Sequence, residues 1–217
     1  TLELILFAAP LIIITGIWFG TLAGIHRDTW IDHTSRIMSI AFWSLPTFLF
    51  ALIVLMLFYG YFNWFPPGII SDDVSMYILD NPGKFIRYTG MYTIDGILNG
   101  NLWIALDGLR HLVLPVITEV AVIFALLVRG MRSGMIEALS QDYIITAKAK
   151  GANKDIINKK HARKNAMIPV MTISGVLIAG LMTGMITVEF VFNRQGLGWW
   201  LANSAIQLDI PALLAVC

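Results

Sequence analysis

Four stretches of this chain are apolar over a length that can cross the hydrocarbon core of a bilayer. They cover residues 4–25, 37–62, 112–130 and 167–188, and a fifth apolar run begins at Pro211. A helix rises about 1.5 Å per residue, so about 20 residues are needed to cross a core of about 30 Å. The pattern therefore predicts an all-α protein with four complete spans. Because the last run is too short to cross, we expect the sequence to be part of a longer chain.

Glycines recur at every fourth position in two of these spans. They are Gly16, Gly20 and Gly24 in the first span and Gly180 and Gly184 in the fourth. This spacing places glycines on one helix face and allows another backbone to approach closely. We interpret both sets as packing positions in a helical bundle rather than as the lining of a pore. Pro46 lies inside the second span, where we expect it to kink the helix.

The segment 61–111, between the second and third spans, is long for a connection and predicts structure of its own. Pro66-Pro67-Gly68 and Asn81-Pro82-Gly83 are turn signals, and apolar residues recur at helical spacing over 102–109. A short helix lying on the membrane surface fits this pattern. Alternatively, the tryptophans of the segment are ordinary anchors at the membrane interface.

Composition places the chain in a bilayer, and the distribution of charge orients it. Of the 217 residues, 57% are hydrophobic and only 13% are charged, too few for a soluble domain of this size. Residues 129–164 contain nine of the fifteen Lys and Arg residues. Because cytoplasmic loops are enriched in these residues, we expect this loop inside the cell and the acidic 61–111 segment outside. The single cysteine, Cys217, excludes a disulfide within the sequence.

Two acidic residues lie in or beside the apolar spans. An ionisable side chain inside a membrane costs about 2.5–3.5 kcal/mol unless it finds water or a partner, so Glu119, in the third span, should face the bundle interior. Its role stays open between lining a transport pathway, a buried structural hydrogen bond and a proton relay. Glu189 lies at the outer end of the fourth span, where hydration costs little, so we expect a structural or gating contact rather than a part in substrate chemistry.

The basic loop, residues 137–165, predicts a helix–turn–helix. Gly151 interrupts the helical pattern and suits the left-handed position after a helix C terminus. Asn153 can cap the second helix, and Asp155 falls in its first turn, where the helix dipole favours an acid. Pro169 is then expected in the first turn of the next span.

This loop contains Tyr-x-x-Thr-Ala-x-Ala-x-Gly followed by His-Ala-x-x-Asn-Ala-x-x-Pro. The matching residues are Tyr143, Thr146, Ala147, Ala149, Gly151, His161, Ala162, Asn165, Ala166 and Pro169. The segment resembles the coupling loop of ABC transporter permeases of the dipeptide and oligopeptide family, the binding-protein-dependent transport inner membrane components. Ile145 stands where the broader importer signature has Glu, so the salt bridge of other branches is not implied. The alternative is a basic loop that only contacts anionic lipid.

A second run is similar to the same family. It is Val188-Glu-Phe-Val-Phe-Asn-Arg-Gln-Gly-Leu-Gly198, followed by Ala205-Ile206 and Asp209-Ile-Pro211. Family members have a Pro-Gly-Leu-Gly turn here, whereas this chain has Gln195 in place of the proline. We treat four residues as possible pathway residues: Glu119, Glu189, Gly196 and Gly198.

The resemblance implies a transmembrane bundle of the type I ABC importer kind in a cell membrane. Its partners would be a second permease subunit, two ATP-binding subunits, an extracytoplasmic substrate-binding protein and membrane lipid, but no nucleic acid. Tyr143, Thr146, Ala147, Ala149, Gly151, His161 and Asn165 would couple the chain to the ATPase. ATP and Mg²⁺ would bind those partner subunits, because the sequence has no G-x-x-x-x-G-K-[ST] loop. We therefore predict no enzyme activity, catalytic residue, metal ligand or cofactor on this chain.

The substrate follows less directly. The spans offer mostly hydroxyls, glycines and aliphatic side chains, with no cluster of acids or histidines to capture a metal. We expect an oligopeptide, with an oligosaccharide or a nickel chelate as alternatives; Trp199-Trp200 could stack on sugar rings. An ion-coupled secondary transporter is a rival that would need more intramembrane ionisable groups. A scaffold or membrane enzyme is another, but no set of nucleophile, base and orienting residue is visible.

Overall fold

Helices account for 78% of the chain in the computed structural model. The structure describes residues 1–216, without the side chains of residues 182–184 and 216, and this part contains no strand. Cys217 and the packing predicted around Gly184 therefore lie outside the described residues.

The helices follow one another with short connections except in the 61–111 segment. In chain order they are α1 (Leu2–Ile25), α2 (Trp30–Ser44), α3 (Thr47–Leu55), α4 (Asp72–Asp80), α5 (Tyr92–Leu98), α6 (Leu102–Leu139), α7 (Asp142–Ala149), α8 (Lys154–Ile156), α9 (Arg163–Gly184), α10 (Ile186–Val191), α11 (Leu197–Ile206) and α12 (Ile210–Val216). Two π-helical turns, Met56–Tyr61 and Ile157–Ala162, extend α3 and α8.

The second predicted span, 37–62, is broken rather than kinked. Leu45, between α2 and α3, has a ψ of 128°, the extended backbone that a following proline imposes. Pro46 therefore ends one helix and precedes the next. Among the described residues, Leu2–Ile25, Leu102–Leu139 and Lys154–Leu181 are long and apolar enough to cross a membrane alone. The Trp30–Ser44 and Thr47–Tyr61 pair adds a fourth span only if the two helices are counted together.

The third span differs from the prediction in length. The separate surface helix predicted at 102–109 is wrong, because these residues are the first turns of α6, which runs for 38 residues. At about 1.5 Å per residue this helix is about 57 Å long, well beyond a hydrocarbon core of about 30 Å. The polar residues Arg110 and His111 mark where the helix leaves the apolar run, and neither breaks a helix.

The fourth span also begins earlier than predicted. Helix α9 starts at Arg163, so Pro169 lies inside the helix rather than in its first turn. Ile168, which precedes the proline, is therefore helical as well. Neighbouring helices and local adjustments can satisfy a carbonyl that a proline frees within a span, which is why such prolines are tolerated.

The contacts divide the chain into two compact units, of which the first contains Thr1–Ala8, Pro46–Glu119 and the described residues from Leu181 onward. In its 61–111 segment, a small core forms from Val74, Phe85 and Ile104. Ile70, Tyr77, Ile78 and Tyr92 pack against this core. The prediction that the segment has structure of its own is therefore confirmed.

The second unit contains Ala9–Leu45 and Val120–Gly180. Its α1 residues Gly16, Gly20 and Gly24 face Leu127, Met131 and Met135 of α6, in that order. A Cβ at Gly20 would lie 2.5 Å from the Met131 Cβ and 2.8 Å from the Val128 carbonyl oxygen. The packing interpretation is thus confirmed for α1. At Gly180 no described atom lies within 4 Å of the position of a Cβ, so the structure does not extend that interpretation to the fourth span.

Candidate functional site

The predicted helix–turn–helix is present, and its turn is closed by backbone hydrogen bonds. Helix α7 is followed by Gly151 with a φ of +80°, the left-handed conformation that glycine adopts without strain. The Gly151 amide donates to the Lys148 carbonyl at 3.0 Å and the Ala152 amide donates to the Ala147 carbonyl at 3.1 Å. This pair of bonds is the Schellman arrangement, which satisfies carbonyls at a helix C terminus.

The second helix of the loop begins with the predicted side-chain cap. Asn153 Oδ1 accepts a hydrogen bond of 2.8 Å from the Ile156 amide, and Asp155 lies in the first turn. The cap satisfies one of the amides that have no partner inside the helix. Both local predictions are confirmed, which leaves the role of the loop as the open question.

The residues of the motif lie mostly on an uncovered surface. Tyr143, Thr146, Ala149, Gly151 and Asn165 are exposed, and Ala147 and His161 are partly exposed. Ile144, Ile157 and Ala162 are buried, and α7 packs against the π-helical turn that follows α8. Ile145 is 63% exposed, a large apolar side chain at the position where the broader signature has Glu. The loop is thus a folded element with one face left free.

A cavity of about 220 Å³ adjoins this face. Its lining is Gly134, Glu137, Ala138, Gln141, Tyr143, Asn165, Ala166 and Pro169. Helices α6 and α9 approach closely here, since a Cβ at Gly134 would lie 3.1 Å from the Ala166 carbonyl oxygen. Four motif residues therefore meet at one cavity although the sequence separates them by up to 26 positions: Tyr143, Asn165, Ala166 and Pro169.

An ion pair that the sequence did not reveal fixes the end of α6 before the loop. Arg132 Nε and Nη2 both donate to the Asp32 carboxylate, the second at 2.7 Å, and the Asp28 amide donates to the same carboxylate at 3.1 Å. Asp32 is 0% exposed and Arg132 is 21% exposed on their side chains. In the sequence, Arg132 stands out only as one of the nine basic residues of 129–164. A pairing across 100 positions has no signal in a single sequence.

Glu189, one of the possible pathway residues, is buried at 0% exposure and contacts protein groups rather than water. Its carboxylate accepts hydrogen bonds from the Gly198 amide at 2.8 Å and the Trp199 amide at 3.1 Å. It also accepts a hydrogen bond from the Thr1 hydroxyl, which in turn accepts one from the Leu197 amide. The carboxylate thus replaces water at the N terminus of α11, where the helix dipole favours negative charge.

Gly196 leaves the space that this carboxylate occupies, and Gly198 allows the backbone at the start of α10 to approach closely. A Cβ at Gly196 would overlap the Glu189 carboxylate, and one at Gly198 would lie 2.6 Å from the Ile186 Cα. These contacts give both glycines a structural function, and their assignment to a pathway stays a prediction.

A second buried ion pair joins three segments of the first unit. Arg194 Nη2 donates to Glu3 Oε2 at 2.8 Å, and Arg194 Nη1 donates to the Gly68 carbonyl at 3.3 Å. Glu3 Oε1 accepts hydrogen bonds from the Thr93 amide at 3.0 Å and the Thr93 hydroxyl at 2.8 Å. The pairing of Glu3 with Arg194 could not be predicted from the sequence. The only signal was an acid in the first turn of an otherwise apolar helix.

Glu119 lies within α6 and is 5% exposed, so the prediction that it faces the interior is confirmed. The described residues contain no group of three or more His, Cys, Asp or Glu side chains that could hold a metal ion. The absence of a metal and of a cofactor on this chain remains a prediction.

Apolar helices that can cross a bilayer, joined by a folded and exposed helix–turn–helix, define a multi-pass membrane protein. The particular family is that of the binding-protein-dependent transport system inner membrane components, to which this chain belongs: the family profile matches residues 16–217. The predicted permease family and the predicted all-α fold class are thereby confirmed.

Several relatives are similar along almost the whole chain. The probable D,D-dipeptide transport system permease protein DdpB of Escherichia coli K12 is 39% identical over 214 residues, 99% of this chain and 61% of that protein. The dipeptide transport system permease protein DppB of Haemophilus influenzae is 36% identical over 213 residues, 98% of this chain and 61% of that protein. The oligopeptide transport system permease protein AppB of Bacillus subtilis is 32% identical over 216 residues, 100% of this chain and 60% of that protein. The chain therefore spans about three fifths of the length of these relatives.

Proposed function

We propose that this chain is a permease subunit of an ATP-driven ABC importer and forms part of a translocation path for oligopeptides. The observation that carries the proposal is the family match over residues 16–217, joined to relatives whose names specify dipeptides or oligopeptides. An external binding protein would deliver the peptide. A second permease subunit would complete the path, and two separate ATPase subunits would supply energy.

The loop 137–165 would be cytoplasmic and would dock on an ATPase subunit. Two observations support this role. The positive charge of the chain is concentrated in and around the loop, as expected of a cytoplasmic segment. The loop is also closed by the Gly151 turn and the Asn153 cap, while most of its motif residues stay uncovered. A rigid element with a free face can transmit a displacement of its partner to the helices on either side.

The path itself would involve Glu119, the buried acid of α6. The Glu189 carboxylate accepts hydrogen bonds from amides of α11. Its effect on the path, and that of Gly196 and Gly198, would therefore be to hold the start of α11 in position. A peptide importer needs a path with little side-chain discrimination, since peptides share only their backbone and terminal charges. The binding protein would then select the substrate.

The test is uptake by proteoliposomes that contain the full complex and its binding protein, with ATP enclosed. Labelled oligopeptide, oligosaccharide and nickel chelate are compared, each with ATP and with a non-hydrolysable analogue. We expect ATP-dependent uptake of peptide alone. Uptake of sugar or nickel without peptide would contradict the substrate assignment but would still agree with the assignment as an importer. Uptake driven by an ion gradient without ATP would contradict the importer and support the secondary transporter.

A further inference from the structure

A groove of about 440 Å³ lies in the first unit where α4 meets the start of α6. The polar side chains in its lining include Asp73 of α4 with Asp107 and Arg110 of α6, and Trp103 and Leu106 line it as well. Trp103 and Leu106 are both exposed, so the groove has an apolar border. The transport mechanism proposed above makes no use of these residues.

Arg110 is held in place with donors left over. Its Nε donates to the Trp64 carbonyl at 2.7 Å, and its Nη2 makes a longer bond of 3.4 Å to the Asn63 carbonyl. A guanidinium has more N–H donors than these carbonyls use, and its planar shape suits the oxygens of a phosphate. Arg110 is therefore an oriented cation that can bind an anion in the groove.

The two acids supply the opposite charge. Asp107 Oδ2 accepts a hydrogen bond of 2.8 Å from the Ser71 amide and lies 3.7 Å from His111 Nδ1, so its carboxylate is fixed in position. The side chain of Asp73 is exposed and makes no hydrogen bond or ion pair with any residue that the structure describes. A ligand that carries an anion and a cation a few bonds apart would satisfy Arg110 and these acids together.

The depth of the groove matches the headgroup layer of a membrane. The apolar run of the third span begins at Leu112, so Arg110 and Asp107 lie about 3 Å and about 8 Å beyond it along the helix. The polar layer on each side of the hydrocarbon core is about 5–8 Å thick. Trp64, whose carbonyl holds Arg110, is stacked on Phe62 at 4.8 Å, and such aromatic side chains are typical of a membrane interface.

We propose that this groove binds the headgroup of a zwitterionic phospholipid with a primary amine, such as phosphatidylethanolamine. The phosphate contacts Arg110 and the ammonium donates hydrogen bonds to Asp73 and Asp107. The acyl chains start beside Arg110 and continue along the apolar run that begins at Leu112. A quaternary amine has no N–H to donate, and an anionic headgroup without an amine meets two acids without compensation. The primary amine therefore distinguishes this lipid from phosphatidylcholine and phosphatidylglycerol.

The test uses the purified full transporter in phosphatidylcholine nanodiscs doped with phosphatidylethanolamine that carries a photoreactive group near the start of an acyl chain. After illumination and digestion, mass spectrometry locates the labelled peptides. We expect label on residues 102–111 that unlabelled phosphatidylethanolamine displaces and that phosphatidylglycerol does not. Arg110→Gln and Asp73→Asn should each reduce this label by about threefold or more.

Two matched controls come from the same segment. Lys84 and Asp80 are exposed and do not line the groove, so Lys84→Gln and Asp80→Asn should leave the label unchanged. Asp73→Asn removes no hydrogen bond seen in the described chain, so its result stands even where Arg110→Gln disturbs the backbone at Trp64. Equal displacement by the three lipids, equal labelling of groove and control variants, or no label in 102–111 would each overturn the proposal. Lipid labelling does not depend on which solute the transporter carries, so this test is independent of the proposed transport function.

Discussion

At the scale of single residues, buried acids in this chain stabilise backbone that has no other partner. The Glu189 carboxylate accepts the amides of Gly198 and Trp199, and Gly196 lacks the Cβ that would displace it. A charged acceptor at a helix N terminus contributes about 0.5–2 kcal/mol in comparable caps, and more is lost where the amides cannot reach water. The function of Glu189 is therefore to fix where α11 starts.

The first prediction concerns this carboxylate. Glu189→Gln keeps the shape of the side chain but removes its charge and one acceptor, which costs about 1 kcal/mol locally. We expect amide hydrogen exchange over residues 197–206 to become about fivefold faster, measured by mass spectrometry on the purified protein. Glu137→Gln, at an exposed acid of α6, serves as the control and should leave this segment unchanged. Equal exchange in both variants would contradict the capping role.

Local features could be predicted from the sequence at this scale, and distant pairings could not. Gly151 and Asn153 act on backbone within a few positions, so a turn signal and a cap signal were sufficient. The Asp32–Arg132 and Glu3–Arg194 pairs join residues 100 and 191 positions apart. Which charges meet over such distances depends on how the helices pack, and hydropathy carries no information about it.

At the scale of elements, hydropathy predicted where helices enter the apolar layer but not where they end. Helix α6 continues past the apolar run on both sides because Arg110, His111 and the residues after Gly130 are compatible with a helix. In contrast, Pro46 ends a helix within a continuous apolar run, because it restricts Leu45 to extended backbone. Apolar length and helix length are set by different physical causes.

The second prediction tests the packing of α1 on α6. A Cβ at Gly20 would lie 2.5 Å from the Met131 Cβ, so Gly20→Ala must separate the helices, at a cost of about 1–3 kcal/mol. We expect a lower apparent melting temperature of the purified protein. Gly175→Ala is the matched control: it makes the same change in α9, and no described atom lies within 4 Å of the added Cβ. If both variants have the same melting temperature, the close approach at Gly20 does not hold the two helices together.

At the scale of the whole molecule, the asymmetry of charge predicts sidedness. Residues 129–164 are basic, whereas 61–111 contains five acids and folds around its own small core. The third prediction uses two exposed positions, Asp80 and Lys154, in a parent with Cys217→Ser. A cysteine at Asp80 should react with a membrane-impermeant thiol reagent applied to intact cells, and one at Lys154 should react only after lysis. The reverse pattern would invert the proposed orientation.

The family could be predicted from the sequence, whereas the cavities and grooves of the molecule could not. The motif over 143–169 indicates the same family as the profile over 16–217. A motif of this kind can be read from the sequence because its residues are close together in the chain. The cavity beside Tyr143 and the groove at Arg110 bring together residues from different helices, and such places become visible only in three dimensions.

The coupling role of the loop is the central claim, and a matched pair at Ala149 tests it most directly. Gly151 is a poor choice, because its φ of +80° means that any side chain there would also strain the turn. Ala149 is exposed in α7 and tolerates a side chain without a backbone change. Ala149→Trp adds bulk to the free face, whereas Ala149→Ser alters it little.

The measurement is ATP hydrolysis stimulated by substrate-loaded binding protein in the reconstituted complex, with ATPase retention recorded on the same samples. We predict that Ala149→Trp lowers stimulated hydrolysis at least about tenfold, which corresponds to a loss of about 1.4 kcal/mol of docking free energy. The permease should still insert in the membrane. Ala149→Ser should remain close to the parent. Full stimulation and full ATPase retention by Ala149→Trp would contradict the coupling role of this loop.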